Sequence, residues 1–157
     1  MTPEPSTSAE DARWIARCLE LAAEAAAADE VPVGAVVVLD GTVIGEARNR
    51  VEERRSPLAH AEFEALQQAL ATVGVKRLPD AVLYCTLEPC FLCAGAILHT
   101  RVARVVFGAR DPKFGAVRSL ANLLEDPRLN HRCAVVEGVE AAASAALLRA
   151  FFRRKRG

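Results

Sequence analysis

Four residues in this chain have types and spacings that ordinary packing does not require: His60 and Glu62, two positions apart, and Cys90 and Cys93, three apart and directly after Pro89. A helix that begins at Pro89 or Cys90 puts both sulfurs on one face of its first turn. That end of a helix is electropositive and favours thiolates, the form of cysteine that binds a metal. His60 would add a third ligand through one ring nitrogen. Two thiolates and an imidazole describe a zinc site with one ion per subunit. Three protein ligands are what a catalytic zinc uses when its fourth position belongs to water. Cys85 and Cys133 are the candidates to close the site, but both lie in apolar strand-like runs where a buried small thiol explains them better. With two thiolates the metal is a modest electrophile, so a base is needed beside it. Glu62 meets that need, because a carboxylate there can take a proton from water and pass it to a ring nitrogen or a leaving amine. Taken alone, a first-turn Glu does no more than suit the helix dipole; beside His60 and the cysteine pair it reads as the catalytic acid-base. Glu88, next to Pro89, reads as a turn or backbone partner.

The elements that must hold these residues follow from periodicity. Ser8 can cap a helix over Ala9 to about Ala28, with Asp11 in its first turn and Trp14, Ile15, Cys18, Leu19, Ala22 and Ala26 at helical spacing. Cys18 belongs to that core stripe. Val33 to Leu39 and Thr42 to Ala47 flank Asp40-Gly41, a strong hairpin signal. Residues 48–56 are polar and predict a loop, and a helix follows from Ala59 to Val73, with His60 and Glu62 in its first turn. A strand over Ala81–Thr86, a helix to about His99 and a strand over Val102–Gly108 come next. The chain then predicts a loop over Ala109–Arg118, a short helix near Ser119–Leu124, a strand over Arg132–Glu137 and a helix from Val139 to about Arg154. Strands that alternate with helices after an opening hairpin predict an α/β fold with a partly parallel sheet covered on both faces.

One domain over residues 1–157 suits this length, with residues 1–8 disordered and 153–157 forming a basic tail. No apolar run approaches a membrane span and no basic leader precedes one, so a cytoplasmic protein is expected, without membrane partners. Five cysteines in a reducing compartment indicate metal binding or burial rather than disulfides. The net charge is zero but unevenly placed: residues 1–30 carry seven acids and two bases, whereas residues 99–157 carry twelve bases and five acids. The C-terminal part is therefore the face for an anionic partner. Phe151 and Phe152 beside Arg153 suit a single-stranded nucleic acid, one ring packing inward and the other free to stack.

His-x-Glu followed by Pro-Cys-x-x-Cys is the known signature of zinc-dependent nucleobase deaminases. The chain resembles the bacterial tRNA-specific adenosine deaminases of the cytidine deaminase superfamily, well beyond that motif. Glu30-Val31-Pro32-Val33-Gly34-Ala35-Val36, Gly45, Asn49-Arg50, Ala59 to Glu62, Thr86 to Cys90, Cys93 to Ala96, Arg104 to Gly108, Asp111, Lys113, Gly115, Asn130-His131 and Phe151 to Arg153 all carry the resemblance. It implies a cytidine-deaminase-like three-layer α/β/α sandwich around a mixed five-stranded sheet, and a homodimer. It also implies hydrolysis of adenosine to inosine at the wobble position of a tRNA anticodon loop, chiefly the arginine tRNA reading ACG. His60, Cys90 and Cys93 would hold Zn²⁺, and Glu62 would move the proton as ammonia leaves. Asn49 and the backbone of Ala61 would hold the base, while Asp111, Lys113, Phe152 and Arg153 would contact the loop.

The chain departs from the family pattern at Ser56-Pro57-Leu58, Val51, Leu92 and Val117-Arg118, and Arg118 together with Phe114 bears on which flanking nucleotides are accepted. Arg118 adds a charge beside the expected RNA face. Two other readings share the metal motif. One is a deaminase of a small base such as guanine or cytosine; the other is a zinc-stabilised RNA-binding module without catalysis.

Overall fold

The computed structural model describes residues 8–156. The expected disorder over residues 1–7 lies outside them, whereas Ser8 is placed as the cap of the first helix. Its hydroxyl accepts from the Asp11 amide at 3.0 Å, satisfying one of the four free N–H groups at the start of α1 (Ala9–Ala27). Strands β1 (Gly34–Leu39) and β2 (Thr42–Arg48) form the expected hairpin. Asp40 and Gly41 both take positive φ, 49° and 75°, as a two-residue turn between right-twisted strands requires. A four-residue helix, α2 (Val51–Arg54), stands where residues 48–56 predicted only a loop. Then follow α3 (Ala61–Val73), β3 (Val82–Leu87), α4 (Phe91–Thr100), β4 (Arg104–Ala109), β5 (Ala134–Val136) and α5 (Ala141–Arg156).

The strands make one mixed sheet in the order β2-β1-β3-β4-β5. β1 runs antiparallel to β2 and β3, while β3, β4 and β5 are parallel. The sheet alternates its side chains between two cores. Ala35, Val37, Leu83, Cys85, Val105 and Phe107 pack with Ala65, Leu66, Ala94 and Ile97 of α3 and α4. Val36, Val38, Tyr84 and Val106 pack with Trp14, Ile15 and Cys18 of α1, and α5 packs beside α1 over β4. That is the expected α/β/α sandwich around five strands. Burial of Cys18, Cys85 and Cys133 in these cores agrees with reading them as small apolar groups.

Three further expectations fail. Ser119–Leu124 forms turns instead of a helix, and the last strand is only Ala134–Val136. The parallel step from β4 to β5 is thus made by the irregular residues 110–133, which need support from elsewhere in the chain. Arg153–Arg156 are the last turn of α5, not a detached tail. Asp11 also does more than suit a dipole. Fully buried, it accepts the Tyr84 hydroxyl at 2.9 Å and two nitrogens of Arg104 at 2.8–3.2 Å, tying α1 to β3 and β4. Among the described residues no helix is long and apolar enough to cross a membrane.

Candidate active site and metal centre

The C-terminal end of β3 and the starts of α3 and α4 meet at one point. His60 is the cap residue of α3 and Cys90 that of α4, both with extended backbone, and Cys93 lies one turn into α4. His60 Nδ1 is 3.4 Å from Cys90 Sγ and 3.6 Å from Cys93 Sγ. Ligand atoms about 2.3 Å (sulfur) and 2.0 Å (nitrogen) from a tetrahedral zinc stand about 3.6 Å apart, so these spacings fit the edges of such a site. Among the described residues this is the group of His, Cys and acidic side chains close enough to share an ion, with all ligand atoms within 4.8 Å of one another. Cys133 and Cys85 do not join it.

The electrostatics of the three groups suit a metal. The Cys93 thiol and the His60 ring, working against burial, hold Cys90 down at about 4, a thiolate at neutral pH. The Cys90 hydrogen bond and burial push Cys93 up, and the same Cys90 sulfur raises His60. One ligand is therefore already ionised, and a bound cation would draw the proton from the other sulfur.

Glu62 sits in the first turn of α3, 4% exposed, beside this cluster. Burial pushes its carboxyl up to about 7, and the neighbouring His60 pulls the other way. A group that titrates near neutrality next to a metal site can both accept and return a proton.

Around these residues opens a cleft of about 1940 Å³. His60, Ala61, Glu62 and Cys90 lie on it with Asn49, Asp111, Lys113, Phe114, Phe152 and Arg153. All ten residues proposed from the sequence thus border one cleft or belong to the cluster at its floor, Cys93 lying buried behind the opening. Asn49 is 6% exposed; its Nδ2 donates to the Val31 carbonyl at 3.3 Å and its Oδ1 accepts from the Val51 amide at 3.3 Å. Each of these groups keeps one more bonding position free. Asp111 Oδ1 accepts from the Lys113 and Phe114 amides, which shapes the turn that presents both side chains. Phe151 is buried and Phe152 is 45% exposed at the cleft, so the pair divides as expected.

The structure corrects the view of Arg118. Its guanidinium bonds to Glu125 and Glu137, and Glu137 also pairs with Arg110 at 2.7 Å. This charge is neutralised within the protein instead of being offered to RNA. Two of the last basic residues are likewise engaged: Lys155 pairs with Asp29 at 2.6 Å, and Arg154 donates to the Ala26 carbonyl at 3.1 Å. Both fasten α5 to the end of α1.

Glu88 takes the backbone role read for it from the sequence and extends it well beyond its own turn. It is 2% exposed, and its carboxylate accepts the amides of Asp111, Val117, Arg118 and Ser119 at 2.7–3.0 Å together with the Ser119 hydroxyl. Desolvation would raise this carboxyl, but the Ser119 hydroxyl and the amides of Arg118, Asp111 and Ser119 outweigh it and hold it at about 2. A Cβ on Gly115 would stand 2.3 Å from the Glu88 carboxyl carbon, which is why only glycine fits beneath the loop.

The profile of the MafB19-like deaminase family matches residues 9–156. A tRNA-specific adenosine deaminase of Agrobacterium fabrum is 45% identical over 94% of this chain and 97% of its own length. One from Bacillus subtilis is 43% identical over 94% of this chain and 91% of its own length. A structure solved in a study of A-to-I editing by tRNA:A34 deaminases at the wobble position superposes with a TM-score of 0.83 at 43% identity, covering 87% of this chain and 99% of that one. With the metal-ligand geometry in place and relatives this close over nearly the whole length, the chain belongs to the tRNA-specific adenosine deaminase family.

Proposed function

We propose that this protein hydrolyses adenosine to inosine at the wobble position of tRNA, using one zinc ion held by His60, Cys90 and Cys93. One observation carries the choice of a loop over a free base. The cleft around Glu62 holds about 1940 Å³, against the roughly 300–1000 Å³ of small-molecule sites, and continues past Asn49 to Lys113, Phe114, Phe152, Arg153 and Arg156. An anticodon loop already presents unstacked bases, so extruding one costs little.

A zinc ion bound by these ligands supplies acidified water at neutral pH. Glu62 takes a proton from the attacking water and delivers it to the purine, so that adenosine and water give inosine and ammonia. Asn49, with one donor and one acceptor still free, and the Ala61 backbone orient the base. Asp111 accepts from a ribose 2′-hydroxyl, Lys113 and Arg153 meet phosphates, and Phe152 stacks on a base. The enzyme acts as a homodimer. The groove between α3 and α4, lined by Phe63, Leu66, Leu70, Leu92 and Ala96, supports that reading.

Inosine mapping of whole tRNA and of an ACG anticodon stem-loop, beside assays with free guanine and cytosine, tests the proposal. Inosine at the wobble position is expected. Turnover of guanine without inosine in the RNA would favour the chemistry of the Nitrosomonas europaea guanine deaminase, a structural neighbour at 27% identity and TM-score 0.78 that covers 95% of this chain and 87% of its own. Light scattering at twice the 16.9 kDa chain mass is expected, and a monomer mass would remove the homodimer.

A further inference from the structure

Glu30 lines the cleft but has no part in the reaction above. It is 2% exposed, and its two oxygens accept the backbone amides of Glu52 at 3.0 Å and Glu53 at 2.7 Å. Burying a polar side chain is costly unless its oxygens are hydrogen-bonded, so these two bonds account for its place. They reach the first turn of α2, whose own cap residue, Arg50, provides no side-chain bond. Glu30 thus does from 22 residues away what a capping side chain does locally. A helix of four residues cannot sustain itself, since nucleation outweighs its few internal bonds. Its shape depends on what grips it.

The same stretch of chain holds Asn49. The Asn49 amide donates to Val33 at 3.1 Å and its Nδ2 to Val31, while its Oδ1 accepts from Val51 at the start of α2. Asn49 is fixed from one side by residues 31–33 and from the other by the turn that Glu30 pins. We infer that Glu30 is a positioning residue for base recognition. By anchoring α2 it sets the orientation of the Asn49 side chain, so that the remaining amide hydrogen and lone pair face the purine. The inference rests on the reading of Asn49 as a base-binding residue.

The test uses E30Q, E30D and N49A in the full-length, zinc-loaded protein, with the anticodon stem-loop as substrate. A contact made equally to substrate and transition state appears in KM. E30Q keeps one acceptor oxygen but sets an NH2 donor against the other N–H, and is expected to raise KM about tenfold with kcat and zinc content nearly unchanged. E30D, which keeps a carboxylate, should recover part of the loss and covers the case in which E30Q folds poorly. In the N49A background E30Q should add less than about twofold, because both changes act through one contact. Amide exchange at Glu52 and Glu53 should quicken in E30Q. Additive effects, or a loss confined to thermal stability, would overturn the proposal, as would unchanged exchange at those amides. If N49A alone leaves KM unaltered, the route through Asn49 is wrong. A wild-type protein inactive on all RNA would instead bring down the functional reading. Exchange at Glu52 and Glu53 and the Asn49 side-chain resonance would then decide the positioning on their own.

Discussion

On the proposed mechanism Glu62 moves the proton while His60, Cys90 and Cys93 hold the metal, and substitutions can separate the two roles. Replacing Glu62 with Gln keeps its volume and removes its proton affinity. Deamination should fall by about 10²–10⁴-fold, the usual span for a general acid-base, with zinc content and RNA affinity within about twofold of wild type. Single-turnover rates beside metal analysis check this, and equal loss of zinc would reassign Glu62 to holding the site together. His60→Ala should do the reverse and strip the metal. The thiols make a second prediction. Cys90 is held as a thiolate at about 4, while Cys93 is pushed up by Cys90 and burial, so zinc uptake by the metal-free protein must displace protons. Each displaced proton makes affinity fall about tenfold per pH unit on acidification. Calorimetry in buffers of different ionisation heat counts those protons, and a count of zero would mean that both sulfurs were ionised beforehand.

Residues 110–133 are irregular, yet they carry Asp111, Lys113 and Phe114 to the cleft. What orders them is Glu88, from the neighbouring strand end. Glu88→Gln would turn an acceptor of five hydrogen bonds into a group that also donates, leaving amides without partners at about 1–3 kcal/mol each. Gly115→Ala would force the same carboxylate aside, an overpacking cost of about 1–3 kcal/mol. Both variants should speed amide exchange over residues 111–119 and weaken RNA binding while the metal stays bound; slow exchange in E88Q would show that the loop holds itself. The sign of the pH effect follows from the depressed carboxyl. Its folded value of about 2 lies below the ordinary 4.5, so its stabilisation is complete above 4.5 and disappears as pH falls towards 2. The sequence marked Glu88 as a turn or backbone partner but hid which backbone it holds, because the support joins residues 23 to 31 apart, whereas periodicity reports only neighbours. The same cause hid α2, whose partner Glu30 is 22 residues away. The hairpin was legible because Asp40-Gly41 encodes its turn locally, and α1 because Ser8 caps it three residues from Asp11.

For the molecule as a whole, the cluster of His60, Cys90 and Cys93 with Glu62 beside it was legible from residue type and local spacing, since residues two or three apart at a helix start face one point. The electrostatic surface was not, because counting charges cannot tell a free cation from a paired one. Of the basic residues in the C-terminal part, Arg118, Arg154 and Lys155 are bound to the protein's own acids or carbonyls, whereas Lys113, Arg149, Arg153 and Arg156 line the cleft. The chain has no net charge at pH 7, so attraction to a polyanion must come from this local group and not from the overall field. Four phosphate contacts on a single strand correspond to a slope of about −2.8 in log affinity against log salt, at about −0.7 per contact. Arg153→Ala with Arg156→Ala should reduce the slope to about −1.4 and weaken binding, since two contacts remain. Lys155→Ala should leave the slope unchanged, because its partner is Asp29 and not RNA. Fluorescence anisotropy with a labelled anticodon stem-loop across 50–200 mM salt distinguishes the two. A slope that fell equally in Lys155→Ala would show that RNA competes Lys155 away from Asp29, making the whole last turn of α5 the binding face.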